Sequence, residues 1–217
     1  RTFGKLEDKY ICTTQAKVIF HGLRLKIFYF IKNTIIHTEQ KQYISAIALI
    51  RLCIEHIVML AYFTDKLSSY LNDNKFNDLL VLLHSFSHGQ RIMFINLTDV
   101  DTNKKVFSSR AEHVSDALRF FDKKFGGGVQ LIYDNISDHT HVTPTSAVRM
   151  LLRQKNWKQN EIRINYDRVN LSTTSNSHEK LACGGVEILL QLLKIIDVNI
   201  TDKQNEFWKL LKIKSNL

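Results

Sequence analysis

Three side chains that can do chemistry, Arg51, Glu55 and His56, stand inside residues 44–63, ISAIALIRLCIEHIVMLAYF. That run is apolar on almost every side of a helix, and a helix apolar all round is buried all round. A charge or an imidazole in such a place needs a partner inside the protein, because an unpaired buried charge is very costly. Arg51 and Glu55 are four residues apart, about 40° around a helix, and can pair within it. His56 lies about 140° from Arg51 and faces a different neighbour. A second polar set, Tyr133, Ser137, Asp138, His139 and His141, follows in a later apolar segment. Ser137 and His141, four apart, share a face there. The expectation is that the Arg51/Glu55 pair meets His141, with Tyr133 and Ser137 nearby.

Such a set fits phosphodiester chemistry. Attack of a ribose 2′-hydroxyl on the neighbouring phosphorus needs a proton acceptor, a proton donor and a cation at the phosphate. A histidine does proton work near neutral pH, and an arginine fork holds a phosphate by paired hydrogen bonds. Glu55 would orient the Arg or the His. The competing reading is structural: an Arg–Glu–His–Tyr cluster can simply fix two helices in one register, and such networks perturb the same groups. A third cluster, Arg149, Arg153, Lys155 and Lys158 around Trp157, has the interleaving of bases and aromatic that binds single-stranded nucleic acid by charge and stacking. A half-buried Trp anchor explains Trp157 equally well.

The elements that must position these groups follow from periodicity. Residues 10–37 suit a long amphipathic helix, with Lys17, Arg24 and Lys32 as a basic stripe or a solvated face. Residues 44–63 are long enough to cross a membrane, but the charges at their centre argue for a soluble core helix. It runs to about residue 71, where Asn72-Asp73-Asn74 breaks it. A third helix is expected over 76–97. His84 and His88 share its face without an acidic third ligand at a metal-motif spacing, so no metal is expected. Residues 98–109 read as a loop and 108–125 as a helix, with Ser109 and Glu112 in a capping-box arrangement. Gly126-Gly127-Gly128 is a hinge or loop, without the Lys-Ser/Thr of a phosphate loop. A helix over 129–141 should turn Leu131, Ile132 and Ile136 inward, with Pro144 beyond it. Residues 161–166 alternate polar and apolar and could pair with 169–171 as a β hairpin. A polar loop over 171–177 then leads to helices over 178–198 and 202–213, and Cys183-Gly-Gly-Val186 suggests close backbone packing.

Composition agrees with helices. One Pro and 8 Gly among 217 residues favour helices over a turn-rich β fold, and 44% apolar residues with 13 Phe supply a core. The fold expected is an all-α bundle of six to eight helices, with a small β hairpin near 161–171. It forms a single domain over 1–217, with a core over 10–153 and a C-terminal helical part over 176–214. Cys12, Cys53 and Cys183 are odd in number and widely spaced, each in an apolar context. Reduced core thiols in a cytoplasmic chain are the simple expectation, and no signal-peptide pattern stands at Arg1. The net charge of +9 suits a polyanionic partner such as RNA, or a solubilising surface.

Two resemblances bear on function. Arg51-x-x-x-Glu55 followed by Tyr133-x-x-Ile136-Ser137-x-x-x-His141, with Pro144 two residues after Val142, resembles an uncharacterised bacterial helical family. Its members carry Arg-x-x-x-Glu on one helix and Tyr-x-x-Leu-Ser-x-x-x-His-Pro on a later one. The layout also resembles HEPN domains, and Arg51-Leu-Cys-Ile-Glu-His56 matches the shortest form of their Arg-x4-6-His motif. That resemblance implies a metal-independent ribonuclease without cofactor, a homodimer, and a toxin or phage-defence setting with an antitoxin or defence-system partner. The alternative expectation is a non-catalytic helical module that binds nucleic acid or an acidic protein.

Overall fold

Residues 44–63 lie within α2 (Tyr43–Asn72), and α2 is the axis on which the other helices pack. The computed structural model describes residues 6–88, 92–95, 107–110, 113–140 and 171–214. The fold is all-α, with six helices among these residues and one short two-stranded antiparallel pair. The other helices are α1 (Leu6–Glu39), α3 (Phe76–His88), α4 (Val114–Phe125), α5 (Val129–Thr140) and α6 (Leu171–Lys214). All five touch α2, with α6 and α1 most extensively engaged. Ile47, Ile54, Ile57 and Phe63 of α2 are buried to within a percent. Among the described residues α2 alone has the length and apolarity to cross a membrane. Neighbouring helices cover many of its apolar side chains, while Ile44 and Leu52 stand 50% and 36% exposed.

The α2 ends are set by local chemistry. At its start, Lys41 takes a left-handed φ of 58° and Gln42 N–H donates to the His37 carbonyl at 2.8 Å, which closes α1 and reverses the chain. At its end Asn74 does the same, with φ 57° and a Lys75 N–H to Tyr70 carbonyl bond of 2.8 Å. Asparagine tolerates this conformation better than most residues.

Aromatic rings fill the centre where three helices meet α2. Phe63 stacks edge-on with Phe20 of α1 at 5.2 Å and tilted against Phe86 of α3 at 4.6 Å, while Phe20 also meets Phe207 of α6 at 6.3 Å.

Several boundaries differ from the sequence reading. The third helix ends at His88, and residues 92–95 do not continue it. Ile92–Ile95 forms a strand, β1, antiparallel to β2 (Phe107–Arg110), with Ile92 opposite Arg110 and Ile95 opposite Phe107. A short apolar run reads the same in helix and strand, and Gly89 between the two weakens helix propagation. Ser109 therefore lies in β2 rather than at a helix start; α4 starts later, with His113 as its cap, its ring Nδ1 accepting from Ser115 N–H at 3.4 Å. Residues 171–213 fall within one 44-residue helix, not a loop and two helices. No Gly or Pro falls between 186 and 214 to interrupt it. Leu131 points outward, 75% exposed, whereas Ile136 is buried. Cys12 and Cys53 are core residues, but Cys183 is exposed. Burial pushes the Cys53 thiol up to about 12, which leaves it inert as a nucleophile. The hairpin expected near 161–171 falls on residues 161–170, outside the described residues, and on Leu171, which opens α6.

The three-glycine turn positions α5. Gly126, Gly127 and Gly128 all have positive φ, at 72°, 99° and 62°, which only glycine adopts freely in succession. Across it Asp122 of α4 reaches over to α5, its carboxylate accepting from Val129 N–H at 2.6 Å and Gln130 N–H at 3.0 Å. Both are otherwise unpaired donors of a helix start. Asp122→Ala is expected to lower stability by about 1 kcal/mol, the usual worth of such a cap. The urea midpoint measures it; no shift would mean that the glycine turn alone holds α5.

Candidate functional site

The polar side chains of α2 and α5 meet where the two helices pack. Arg51 and Glu55 form the expected pair within α2, Nη2 to Oε1 3.2 Å, with both side chains about four-fifths buried (21% and 17% exposed). From α5, the Tyr133 hydroxyl inserts between them. It donates to Glu55 Oε1 at 2.7 Å and accepts from Arg51 Nε at 3.3 Å and Nη2 at 3.1 Å. The guanidinium carbon also sits 5.4 Å from the Tyr133 ring centroid. About two turns further along α5, Thr140 Oγ1 lies 3.5 Å from Arg51 Nη1. The same Oγ1 donates to the carbonyls of Ile136 and Ser137.

The geometry orders the protons. Burial, then the hydrogen bond to Glu55, raises the Tyr133 pKa, and Arg51 opposes this. Tyr133 thus stays a neutral hydroxyl at physiological pH, with its proton held by Glu55 and its lone pairs turned to Arg51. On Arg51, Nε and Nη2 are committed to Tyr133 and Glu55. Nη1, with two N–H groups, has only the long contact to Thr140 among the described residues. Ser137 shares the Tyr133 face of α5, and its Oγ is buried with no hydrogen-bond partner among the described residues. An orphaned buried hydroxyl is uncommon.

Of the residues singled out in the sequence, Arg51, Glu55 and Tyr133 come together and Ser137 lies beside them. His56 is not brought to this cluster. Its Nδ1–H donates to the Leu52 carbonyl at 2.7 Å and its ring packs edge-on against Phe30 of α1 at 5.1 Å. Burial lowers its pKa, with Lys26 adding to that and the Leu52 bond and Glu55 opposing it. The Arg-x4-His spacing is therefore split between two faces of α2, as 140° of helical rotation requires. His141 follows Thr140 directly and lies outside the described residues, as do Arg149, Arg153, Lys155, Trp157 and Lys158. The side chains of His84 and His88 are likewise outside them. Thr140 was missed by the sequence reading; its place seven residues after Tyr133, two turns along one face, is the signal that finds it.

No three His, Cys, Asp or Glu side chains converge as metal ligands among the described residues. A cleft of about 260 Å³ opens between α2, α4 and α6, lined by Asp65, Lys124, Asp202, Lys203 and Glu206 among others. Asp65 and Lys124 pair across it. It is a separate feature, 14 residues and about 21 Å along α2 from Arg51. No family model, no curated protein and no solved structure matches the chain.

Proposed function

We propose that the α2/α5 cluster is the phosphodiester site of a HEPN-like, metal-independent endoribonuclease. The observation that carries this reading is the half-engaged arginine: Nε and Nη2 are clamped by Tyr133 and Glu55, which aims Nη1 at one remaining acceptor. A phosphate oxygen is the acceptor such an edge suits best. In the reaction the 2′-oxygen bonds to phosphorus and the bond from phosphorus to the 5′-oxygen breaks, leaving a 2′,3′-cyclic phosphate and a 5′-hydroxyl. Arg51 neutralises the charge that builds on the phosphoryl oxygens. His141, next in sequence after Thr140, takes the 2′-hydroxyl proton or supplies the one the leaving oxygen needs. Tyr133 and Glu55 hold the guanidinium in place. The protein then acts in the cytoplasm as a homodimer, away from membranes, as a toxin or defence effector with an antitoxin or defence-system partner.

Incubation of the purified protein with RNA tests this. Arg51→Ala and His141→Ala are each expected to lower cleavage at least tenfold, with Tyr133→Phe intermediate because it frees the arginine without removing it. Equal cleavage by the wild type and both alanine variants ends the proposal.

A second reading has its own observation. Arg51, Glu55 and Tyr133 satisfy one another, which is what a tie between two helices does. On that reading the protein is a non-catalytic module that holds nucleic acid or an acidic partner through its basic surface. Binding would be salt-sensitive, would survive Arg51→Ala, and would weaken when Arg149, Arg153 and Lys158 are neutralised.

A further inference from the structure

Helix α1 is apolar on two opposite sides, and only one of them is used. Its inner side buries Cys12, Ala16, Ile19, Phe20 and Ile27. Its outer side leaves Val18 64%, Leu25 54%, Phe28 68%, Tyr29 60% and Ile35 44% exposed. Contiguous exposed apolar area of this kind marks an interaction surface more often than chance. Val18, Leu25, Phe28 and Ile35 are spaced seven, three and seven residues apart. These are a and d positions of one heptad register, so they draw a seam of about 26 Å along the helix. The remaining a and d places are His21 and Lys32, and Lys17 and Arg24 fall at g beside the seam.

Charge decides what can lie on this seam. Between Lys9 and Thr38 the helix has no Asp or Glu, while Lys17, Arg24, Lys26 and Lys32 are all exposed. Arg24 is held in place by a 2.5 Å bond to Gln204 of α6, which fixes one cation at the edge of the stripe. A second copy of α1 would set these four cations against four more, with no carboxylate to offset them. The chain's own residues 141–170 carry Arg149, Arg153, Lys155, Lys158, Arg163 and Arg168 against Glu161 and Asp167, and are equally unsuited. An anionic bilayer would receive the flanking cations, but Lys32 lies only about 20° from Leu25, in the middle of the arc that would enter the lipid. A facing helix with a glutamate at that layer pairs Lys32 and keeps the rest of the seam apolar. The five exposed apolar side chains offer on the order of 500 Å². That is short of the roughly 800 Å² per partner of a stable interface, and the stems and charges of the flanking Lys and Arg supply the remainder.

We propose that the outer face of α1 is the docking surface for an acidic amphipathic helix of a partner protein, packed along it as a short coiled-coil seam. The face is on α1 and stands apart from the α2/α5 cluster, so its test does not read RNA cleavage.

The probes are two synthetic three-heptad peptides with leucine at a and d. One carries Glu at e, g and the seam position opposite Lys32; the other carries Lys at all of these. Binding to the full chain is measured by fluorescence anisotropy at physiological salt. The acidic peptide is expected to bind at least tenfold more tightly than the basic one. Phe28→Asp should weaken it at least tenfold with an unchanged circular dichroism spectrum. Lys32→Glu, a surface change that spares the fold, should weaken the acidic peptide and be rescued when that peptide's seam Glu alone is changed to Lys. Equal binding of the two peptides, no binding of the acidic one, or indifference to both variants overturns the proposal. So does a Phe28-dependent dimer in light scattering, or Phe28-dependent binding to phosphatidylserine vesicles in preference to the acidic peptide, since each names another occupant.

Discussion

Phe63→Ala is expected to lower the free energy of unfolding by about 3–5 kcal/mol, the range for removing a fully buried aromatic ring. Phe63 is 0% exposed on α2 and holds rings from two other helices, Phe20 of α1 and Phe86 of α3. Truncation leaves a cavity that no single neighbour can fill, because those rings are themselves fixed, Phe20 by Phe207 and Trp208 of α6. Guanidinium unfolding measures the loss as a lower midpoint with an unchanged slope. Phe63→Leu, which keeps most of the volume, is expected to cost less than half as much. A loss below about 1 kcal/mol for the alanine variant would show that the three helices do not converge on this ring.

Gly185→Leu is expected to cost about 2–3 kcal/mol by overpacking the α2/α6 contact. A Cβ at Gly185 would fall 2.6 Å from Ile50 Cδ1 and 3.2 Å from Ile50 Cγ2, and Ile50 is 1% exposed with little room to move. Gly184, its neighbour, has nothing within 4 Å of the same position. Gly184→Ala is accordingly expected to stabilise by about 0.5–1 kcal/mol through helix propensity alone, which makes the pair an internal control. Adding Ile50→Ala to Gly185→Leu should recover part of the loss, so the double variant falls short of the sum of the singles by about 1 kcal/mol or more. Additive losses would mean that the two residues do not touch. Since Ile50 precedes Arg51, the same overpacking is a way to disturb the α2/α5 cluster from behind.

Much of this was legible in the residues. The all-round apolar character of residues 44–63 marked the central helix, and the i, i+4 spacing of Arg51 and Glu55 marked their pairing. The 140° between Arg51 and His56 already said that they part company, and they do. Cys183-Gly-Gly-Val186 signalled a close approach, though not that Gly185 makes it and Gly184 does not. By contrast, Ile92–Ile95 read as helix because four apolar residues carry no period, and its pairing with Phe107–Arg110 depends on a strand eleven residues away.

What the chain determined by itself is therefore local: helical elements, their breaks near residues 39–42, at Asn74 and at the three glycines, and a basic α1 with no Asp or Glu between Lys9 and Thr38. These follow from contacts among residues three or four apart and from the conformational limits of single residues. Only the tertiary structure decided which of the two apolar sides of α1 is core, and that Tyr133 and Thr140 meet Arg51 while His56 turns to Phe30. Such choices are made between segments far apart in sequence, by which surfaces close-pack, and no periodicity within one segment encodes its partner.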